Sequence, residues 1–250
     1  MRATARAEER HFWFRGFRWF VQPLIRRALE GTTRARVLDC GCGTGANLGL
    51  FTPYGSAYGL DQSAFGLDTA RQIGRRGLVR ASAASIPFAG GVFDLVTSFD
   101  VLYALDDRDE RAAVAEMFRV VRPGGHLLVN VAAMAALRGD HSILSHELRR
   151  YTRESLSRLL TAAGFDIVRM TYTNAALFPL LLAVRWFHRA RGLSPESAAT
   201  VEISVPAAPV NAALSALLFL ESMWVKAGGV NPFGSSLLCL AGKPAGADPH

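Results

Sequence analysis

The most informative stretch of this 250-residue chain is Val37-Leu38-Asp39-Cys40-Gly41-Cys42-Gly43-Thr44-Gly45. Its first residues belong to a short apolar run, Ala35 to Asp39, that predicts a β-strand. Its glycines lie between this strand and the next predicted helix. Glycines at such a turn let a ligand approach the backbone closely, and the start of a helix offers free N–H groups. The stretch therefore predicts a nucleotide-type ligand at the carboxyl edge of a sheet.

A second acidic residue narrows the class of ligand. The loop spacing is G-x-G-x-G, with Asp39 two residues before the first glycine, and it differs from the G-x-G-x-x-G of dinucleotide binders. A tight turn needed only for structure would also explain the glycines. However, the next predicted strand ends in Asp61, at the distance where an acidic side chain grips ribose hydroxyls. The loop and Asp61 together predict an adenosine-containing ligand.

Short apolar runs alternate with helical stretches around this loop. Strands are predicted at Ala35 to Asp39, Ala57 to Asp61, Leu78 to Ala81, Phe93 to Phe99, His126 to Val131, Asp166 to Tyr172 and Ser235 to Leu240. Helices are predicted in the first thirty residues with a break at Pro23, and at Ala46 to Phe51, Ala64 to Arg75, Arg108 to Val121, Thr152 to Gly164, Leu177 to Arg191 and Ala207 to Lys226. This alternation predicts an α/β fold, with a parallel sheet covered by helices on both faces.

Five motifs in fixed order carry a family resemblance. They are Asp39 to Gly45, Gly59-Leu60-Asp61, Ser85-Ile86-Pro87-Phe88, Phe93-Asp94-Leu95-Val96 and Arg119 to Gly125. In this order they resemble the successive motifs of class I S-adenosylmethionine-dependent methyltransferases, of the small-molecule type with a methyltransferase-11-like core. The resemblance implies a Rossmann-like, doubly wound sheet of seven strands whose last strand is antiparallel. The N-terminal segment looks like the helical lid of many small-molecule methyltransferases, or else is a basic amphipathic helix packed on the edge of the core. A helical insertion is expected before the last strand.

The resemblance also implies how S-adenosylmethionine, the expected cofactor, would be held. Gly41, Gly43 and Gly45 would surround its methionine portion, with Asp39 orienting the loop. Asp61 would bind its ribose, beside Gln62. Ser82 and Ala83 occupy the segment that lies against the adenine in similar enzymes, although an aspartate is common at the place of Ser82. Phe99 would line the channel to the acceptor, and Arg18 or Arg15 could pair with the cofactor carboxylate.

Candidate catalytic residues lie in the block Gly139 to Tyr151, just past the fifth strand. Its histidines, carboxylate, paired arginines and tyrosine could furnish a general base and an anion clamp, or form a solvated polar connection. His141 is the first candidate for the proton acceptor and His146 is the second. Tyr151 is also expected to be catalytic. No metal site is expected, because the spacing of the histidines matches no helical ligand motif.

We do not expect nucleic acid to be the acceptor, although the net charge is +7 and the pI is about 9.9. The chain lacks both the Asn/Asp-Pro-Pro-Tyr tetrapeptide after the fourth strand and any Pro-Cys pair, which base methyltransferases use. Seven arginines lie in the first thirty residues, so the charge fits a lid better than a nucleic-acid footprint.

The chain is read as one integrated domain with three parts. Residues 1–30 form the N-terminal helical lid, residues 31–135 the cofactor-binding core, and residues 136–250 the acceptor-side cap with the last two strands and the apolar helical insertion. This insertion could roof an apolar acceptor, mediate a homodimer or touch a membrane, and ordinary packing is the default. Reduced cysteines and the absence of a signal peptide predict a cytoplasmic protein.

These observations predict a methyltransferase that acts on a small-molecule acceptor, most readily at oxygen, in secondary metabolism such as natural product biosynthesis or in lipid-linked metabolism. Two alternatives stay open: an RNA-modifying methyltransferase that uses the basic surface, and a non-catalytic module that keeps the cofactor as a structural ligand.

Overall fold

The computed structural model describes residues 11–134, 147–179 and 206–246. Its strands are β1 (Ala35–Cys40), β2 (Gly55–Asp61), β3 (Leu78–Arg80), β4 (Phe93–Phe99), β5 (Val121–Ala132), β6 (Asp166–Thr173) and β7 (Ser236–Gly242). The α-helices within the described residues are α1 (Phe12–Ala28), α2 (Ala64–Gln72), α3 (Asp107–Val120), α4 (Arg153–Ala162) and α5 (Ala208–Lys226). Every strand expected from the alternation of apolar runs is present, with ends that differ by a few residues.

The strands form one sheet in the order β3-β2-β1-β4-β5-β7-β6. Neighbouring strands from β3 to β5 are parallel, whereas β7 runs antiparallel to both β5 and β6. This confirms the predicted Rossmann-like sheet with an antiparallel last strand. The chain order reverses between β1 and β4, and ligands bind beyond the carboxyl ends of the strands at such a reversal. The glycine loop after β1 lies at this point.

Side chains that alternate along the strands enter two separate cores. Leu127 of β5 packs with Met117 of α3 and Leu160 of α4, whereas the next residue, Leu128, packs with Leu218 of α5 and the buried side of α1. Successive side chains of a strand point to opposite faces, so one strand supports both layers of helices. The face covered by α1 and α5 is the one that carries the cavity described below.

Two predicted local features are wrong. The helix α1 runs without interruption through Pro23, because its flanks are held by α5 and by the sheet, and this packing outweighs the one backbone hydrogen bond that proline removes. The helix expected at Ala46 to Phe51 is only a short 3-10 turn, Asn47–Leu50. A second 3-10 turn, Leu102–Ala104, follows β4. Both turns border the carboxyl edge of the sheet.

Candidate active site

The glycine loop after β1 is shaped by steric limits on one side and left open on the other. Gly41 has a φ of +81°, and a Cβ atom there would lie 2.1 Å from Cγ2 of Val101. Gly43 has a φ of +50°, and nothing lies within 4 Å of the Cβ position. Gly45 is also left-handed, with a φ of +73°. The loop therefore needs glycine to turn, and at Gly43 its backbone can be approached by a ligand.

Asp61, at the end of β2, contacts this loop directly. Its Oδ2 atom accepts a hydrogen bond of 2.7 Å from the backbone N–H of Gly43, and its Oδ1 atom accepts one of 2.8 Å from that of Ser63. A carboxylate has about four acceptor positions, so both oxygens can also accept from ribose hydroxyls. The structure thus brings Asp61 and the glycine loop together, as the sequence predicts.

Asp39, at the start of the motif, is a buried carboxyl group with one unused oxygen. Its Oδ1 atom accepts a hydrogen bond of 2.7 Å from the hydroxyl of Thr97, whereas its Oδ2 atom has no hydrogen-bond partner. The pKa of Asp39 is raised to about 7, chiefly by burial and to a smaller extent by the charge of Asp61, against the lowering effect of the bond from Thr97. An unpartnered buried carboxylate oxygen is costly, so it suits a ligand that brings a cation or a donor.

The expectation that Asp39 orients the glycine loop needs a correction. Its described hydrogen bond joins β1 to Thr97 of β4, and the loop is instead tied to β2. There Leu60 O accepts hydrogen bonds from the backbone N–H groups of Gly41, at 2.7 Å, and Cys42, at 3.0 Å. The open Gly43 backbone and the unused oxygen of Asp39 together fit S-adenosylmethionine, whose amino group and sulfonium are positive.

The residues expected beside the adenine lie next to Asp61. The amide Nε2 of Gln62 donates to the hydroxyl of Ser82 at 3.2 Å, and the backbone N–H of Ala84 donates to the same oxygen at 3.1 Å. Ala83 is buried, and no aspartate takes the place of Ser82. These residues form one continuous edge with Asp61, and their contact with adenine stays a prediction.

A cavity of about 210 Å³ lies between α1 and the carboxyl edge of the sheet. Its walls combine aromatic residues of α1, the glycine loop and the ends of four strands, namely Trp13, Phe14, Phe17, Phe20, Cys42, Gly43, Thr44, Ala46, Asn47, Phe99, Asp100, Asn130, Thr173, Asn174, Ser236 and Leu238. Phe17 stacks edge to face on Phe99, with ring centroids 5.0 Å apart. The helix α1 thus supplies the apolar wall together with Phe99, whose place in a channel to the acceptor stays a prediction.

Asp100 is a functional candidate that sequence reasoning missed. It follows β4 directly and has a φ of +60°, a strained conformation for a residue other than glycine. Its backbone N–H donates to Asn130 O at 2.9 Å, and its Oδ1 atom accepts from Asn130 Nδ2 at 3.1 Å. A polar residue immediately after a buried strand, at the ligand edge of a parallel sheet, is the signal that could have identified it.

The pKa of Asp100 is shifted toward neutrality. Asp100 is exposed to solvent at the cavity, but its pKa is raised to about 6, chiefly because the surrounding protein desolvates the carboxylate. The bond from Asn130 lowers it, and the negative charge of Glu147 raises it. A carboxylate with such a pKa, held by one hydrogen bond from Asn130 on a backbone that is also bonded to Asn130, and facing a cavity, is suited to accept a proton.

Of the three predicted catalytic residues, Tyr151 is the one that lies within the described part of the chain. His141 and His146 lie outside the described residues. Tyr151 is described and buried, does not line the cavity, and donates its hydroxyl to Glu110, which also forms an ion pair with Arg149 at 2.7 Å. Burial and the bond to Glu110 raise the pKa of Tyr151 far above its usual value, which disfavours a proton-accepting phenolate. Tyr151 therefore fastens α3 to the end of β5, and the prediction that it is catalytic is wrong.

The expected arginine partners of the cofactor carboxylate are also placed elsewhere. Neither Arg15 nor Arg18 lines the cavity, although both are in α1. The guanidinium of Arg15 instead lies over the ring of Trp19, 5.2 Å from its centroid. Among the described residues, no group of three or more His, Cys, Asp or Glu side chains could hold a metal ion.

The chain is similar in sequence to known methyltransferases. The family model Methyltransf_11, described as a methyltransferase domain, matches residues 38–129. An uncharacterized methyltransferase of Mycolicibacterium gilvum is 33% identical over 177 residues, which cover 61% of this chain and 69% of that protein. The O-methyltransferase rstn1 of Aspergillus nomiae is 28% identical over 164 residues, which cover 59% of this chain and 71% of that protein. Other curated relatives are matched over 32% to 61% of their own length.

A solved structure supports the fold independently. The crystal structure of the [4+2]-cyclase SpnF has a TM-score of 0.57 and is 22% identical in sequence, over 90% of this chain and 80% of that chain. This likeness concerns the fold alone, and a cyclase on the same fold shows that the chemistry must be argued from the site.

Proposed function

This chain belongs to the class I S-adenosylmethionine-dependent methyltransferases, and on that premise we propose that it methylates an oxygen atom of a small, largely apolar acceptor held in the cavity beside Asp100. The observation that carries the proposal is Asp100 itself, a carboxylate with a pKa of about 6 at the wall of an aromatic cavity. An acceptor hydroxyl must lose its proton during transfer, whereas a neutral amine is already nucleophilic and needs less help from a base.

S-adenosylmethionine, the cofactor, supplies a methyl group on a sulfonium, which leaves a neutral thioether after transfer. The residues present fit it: Asp61 and Gln62 would contact the ribose, the open backbone at Gly43 faces the cavity, and the unused oxygen of Asp39 offers a hydrogen-bond partner for the amino group. These groups bind and orient the donor, and displacement at carbon otherwise needs mainly alignment of the reactants.

Asp100 would act on the acceptor. At neutral pH its carboxylate is mostly ionised, and it can accept the proton of a hydroxyl whose oxygen forms the new bond to the methyl carbon. Asn130 fixes the carboxylate through a hydrogen bond of 3.1 Å. Because the base has a pKa of about 6, kcat/KM should rise with pH through that value, as the inactive protonated form disappears.

The walls of the cavity indicate the class of acceptor. Trp13, Phe14 and Phe17 form an aromatic surface that fits a ring or a short aliphatic chain, whereas Thr173 and Asn174 offer polar contacts on the opposite side. A relative named as an O-methyltransferase supports oxygen as the target.

We place the enzyme in the cytoplasm, where its three buried, unpaired cysteines would stay reduced.

Transfer of a labelled methyl group tests this proposal. The protein is incubated with methyl-labelled S-adenosylmethionine and a panel of phenols, aliphatic alcohols and amines, and the products are identified by mass spectrometry. We expect O-methylated products, and we expect Asp100→Asn to lower kcat by about 100-fold or more.

The matched control is Asp68→Asn, which alters an exposed carboxylate that forms an ion pair with Arg71 on the surface of α2. It should keep wild-type kcat. Products methylated only at nitrogen or carbon, or an Asp100→Asn variant as active as the control, would overturn the assignment of oxygen.

A further inference from the structure

The outward face of α5 is almost entirely apolar. Two adjacent rows of large side chains point to solvent, consisting of Val210, Leu217, Leu220 and Trp224 in one and Phe219 and Met223 in the other. Leu220 is 65% exposed and Trp224 is 59% exposed. Within the described residues, α5 is the one helix long and apolar enough to cross a membrane, and 28% of its most apolar 18-residue window is buried. An exposed apolar face of this size indicates a binding surface.

The inward face shows that α5 is part of the folded domain. Leu218 packs into the space left by Gly16 of α1, where a Cβ atom would lie 2.4 Å from Leu218 Cδ1. Asn211 accepts a hydrogen bond of 2.9 Å from the backbone N–H of Phe12. Glu221 is buried and accepts bonds of 3.0 Å from the N–H groups of Ala175 and Ala176. A helix anchored by a buried carboxylate and by close packing would lie along a membrane rather than span it.

Aromatic and cationic residues border the apolar face. The ring of Trp19 in α1 stacks on Phe219, with centroids 5.3 Å apart, so the face extends onto α1. Arg15 lies over Trp19, and Arg26 follows on the same side of α1, at a spacing of three helical turns. At the end of α5, Lys226 continues the row of Phe219 and Met223.

The charges on this surface have one sign. Between residues 12 and 28 the chain has four arginines and no acidic residue. In α5 the acidic residue is Glu221, which is buried and hydrogen-bonded, whereas Lys226 is exposed. The outward surface of both helices therefore combines apolar side chains, a tryptophan and cations, and it complements anionic lipid headgroups above an acyl layer.

We propose that the outward face of α1 and α5, defined by Arg15, Trp19, Arg26, Leu217, Phe219, Leu220, Met223, Trp224 and Lys226, docks on the surface of a membrane that contains anionic lipids. The apolar side chains of α5 enter the boundary between headgroups and acyl chains, and the arginines and Lys226 contact the phosphates. Trp19 and Trp224 lie at the level of the headgroups.

Docking would place the cavity beside the lipid. The opposite side of α1 lines the cavity with Trp13, Phe14 and Phe17, and Glu221 of α5 holds the turn that follows Asn174, another cavity residue. A membrane-dissolved acceptor could then reach the cavity along α1. This second step rests on the proposed function, whereas docking itself does not.

Vesicle sedimentation with the full chain, in the absence of cofactor, tests docking. We expect binding to vesicles of phosphatidylcholine with about 30% phosphatidylglycerol to exceed binding to pure phosphatidylcholine by about tenfold, and to weaken as salt rises. Leu220→Glu should lower the binding at least about tenfold. Arg15→Gln combined with Arg26→Gln should lower it severalfold and remove most of the salt dependence.

Ile73→Glu is the matched control, because Ile73 is an aliphatic residue 52% exposed at the end of α2, outside the α1–α5 face. It should bind vesicles as wild type does. Calorimetric titration with S-adenosylmethionine is run on each variant, and unchanged cofactor affinity confirms that the variants fold and separates docking from the methyltransferase assignment.

Three results would overturn the proposal: no binding to either vesicle, equal binding to both at all salt concentrations, or equal loss in Ile73→Glu and Leu220→Glu. A dimer in analytical ultracentrifugation that Leu220→Glu converts to a monomer would also overturn it, because a second copy would then cover the face.

Discussion

The donor side and the acceptor side of the sheet are built by different means. On the donor side, the glycine loop, Asp61, Gln62 and Ser82 are joined by backbone contacts and short polar bonds within one stretch of the chain. On the acceptor side, the cavity takes side chains from positions as far apart as Trp13 and Leu238. A local motif can therefore specify the donor, whereas the acceptor depends on which distant side chains the fold brings together.

The largest effect is expected when the ribose contact on the donor side is removed. Asp61→Ala deletes a carboxylate that also fixes the backbone N–H of Gly43 at 2.7 Å, so ligand and loop are affected together. We expect the affinity for S-adenosylmethionine, measured by calorimetry, to fall by about 100-fold or more, since hydrogen bonds to charged groups are among the stronger ones. Asp68→Ala, in the exposed surface of α2, should bind as wild type does. Wild-type affinity in Asp61→Ala would remove the ribose assignment.

A substitution in the aromatic wall of the cavity should weaken binding of the acceptor and leave binding of the cofactor unchanged. Phe17→Ala removes the edge-to-face contact with Phe99, 5.0 Å between centroids, and enlarges the cavity without touching the glycine loop. We expect KM for an apolar acceptor to rise by about tenfold, in line with the loss of one aromatic contact and its buried area.

Cofactor affinity in Phe17→Ala should stay within about twofold of wild type, because the donor side is held by other bonds. Steady-state kinetics and calorimetry on the same preparation give both values. Equal losses of acceptor and cofactor binding would mean that the two sides form a single unit.

The smallest expected effect concerns stability and the buried carboxyl of Asp39. Its pKa is raised to about 7 in the folded protein, whereas an unfolded aspartate titrates near the ordinary value of 3.8. As pH rises between these values, the unfolded state loses the proton first, so the free energy of unfolding of the cofactor-free protein should fall. Asp39→Asn should flatten this dependence and bind the cofactor more weakly.

Thermal unfolding of both proteins at pH 5 and pH 8 measures this effect, which we expect to be a shift of roughly a few degrees in Tm. A wild-type Tm whose pH dependence matches that of Asp39→Asn would show that Asp39 ionises normally and that its unpartnered oxygen is not a binding device for the donor.

The same contrast explains what could be predicted from the sequence. The seven strands depend on local periodicity and were predicted, and the antiparallel last strand, which the family resemblance implied, is confirmed. The glycine loop and Asp61 were identified from short motifs, and the structure places them in contact. The unbroken helix through Pro23 and the engagement of Tyr151 with Glu110 depend on tertiary packing, and both predictions failed. Asp100 was missed because its role comes from a cavity whose other walls are distant in sequence.

The most direct test of the division between donor and acceptor sides is a calorimetric titration of Asp100→Asn with S-adenosylmethionine, made beside its measured rate of methyl transfer. We predict an affinity within about twofold of wild type, although kcat falls about 100-fold or more, because Asp100 acts on the acceptor and not on the donor. A loss of cofactor affinity as large as the loss of rate would contradict the account, since Asp100 would then belong to the donor site.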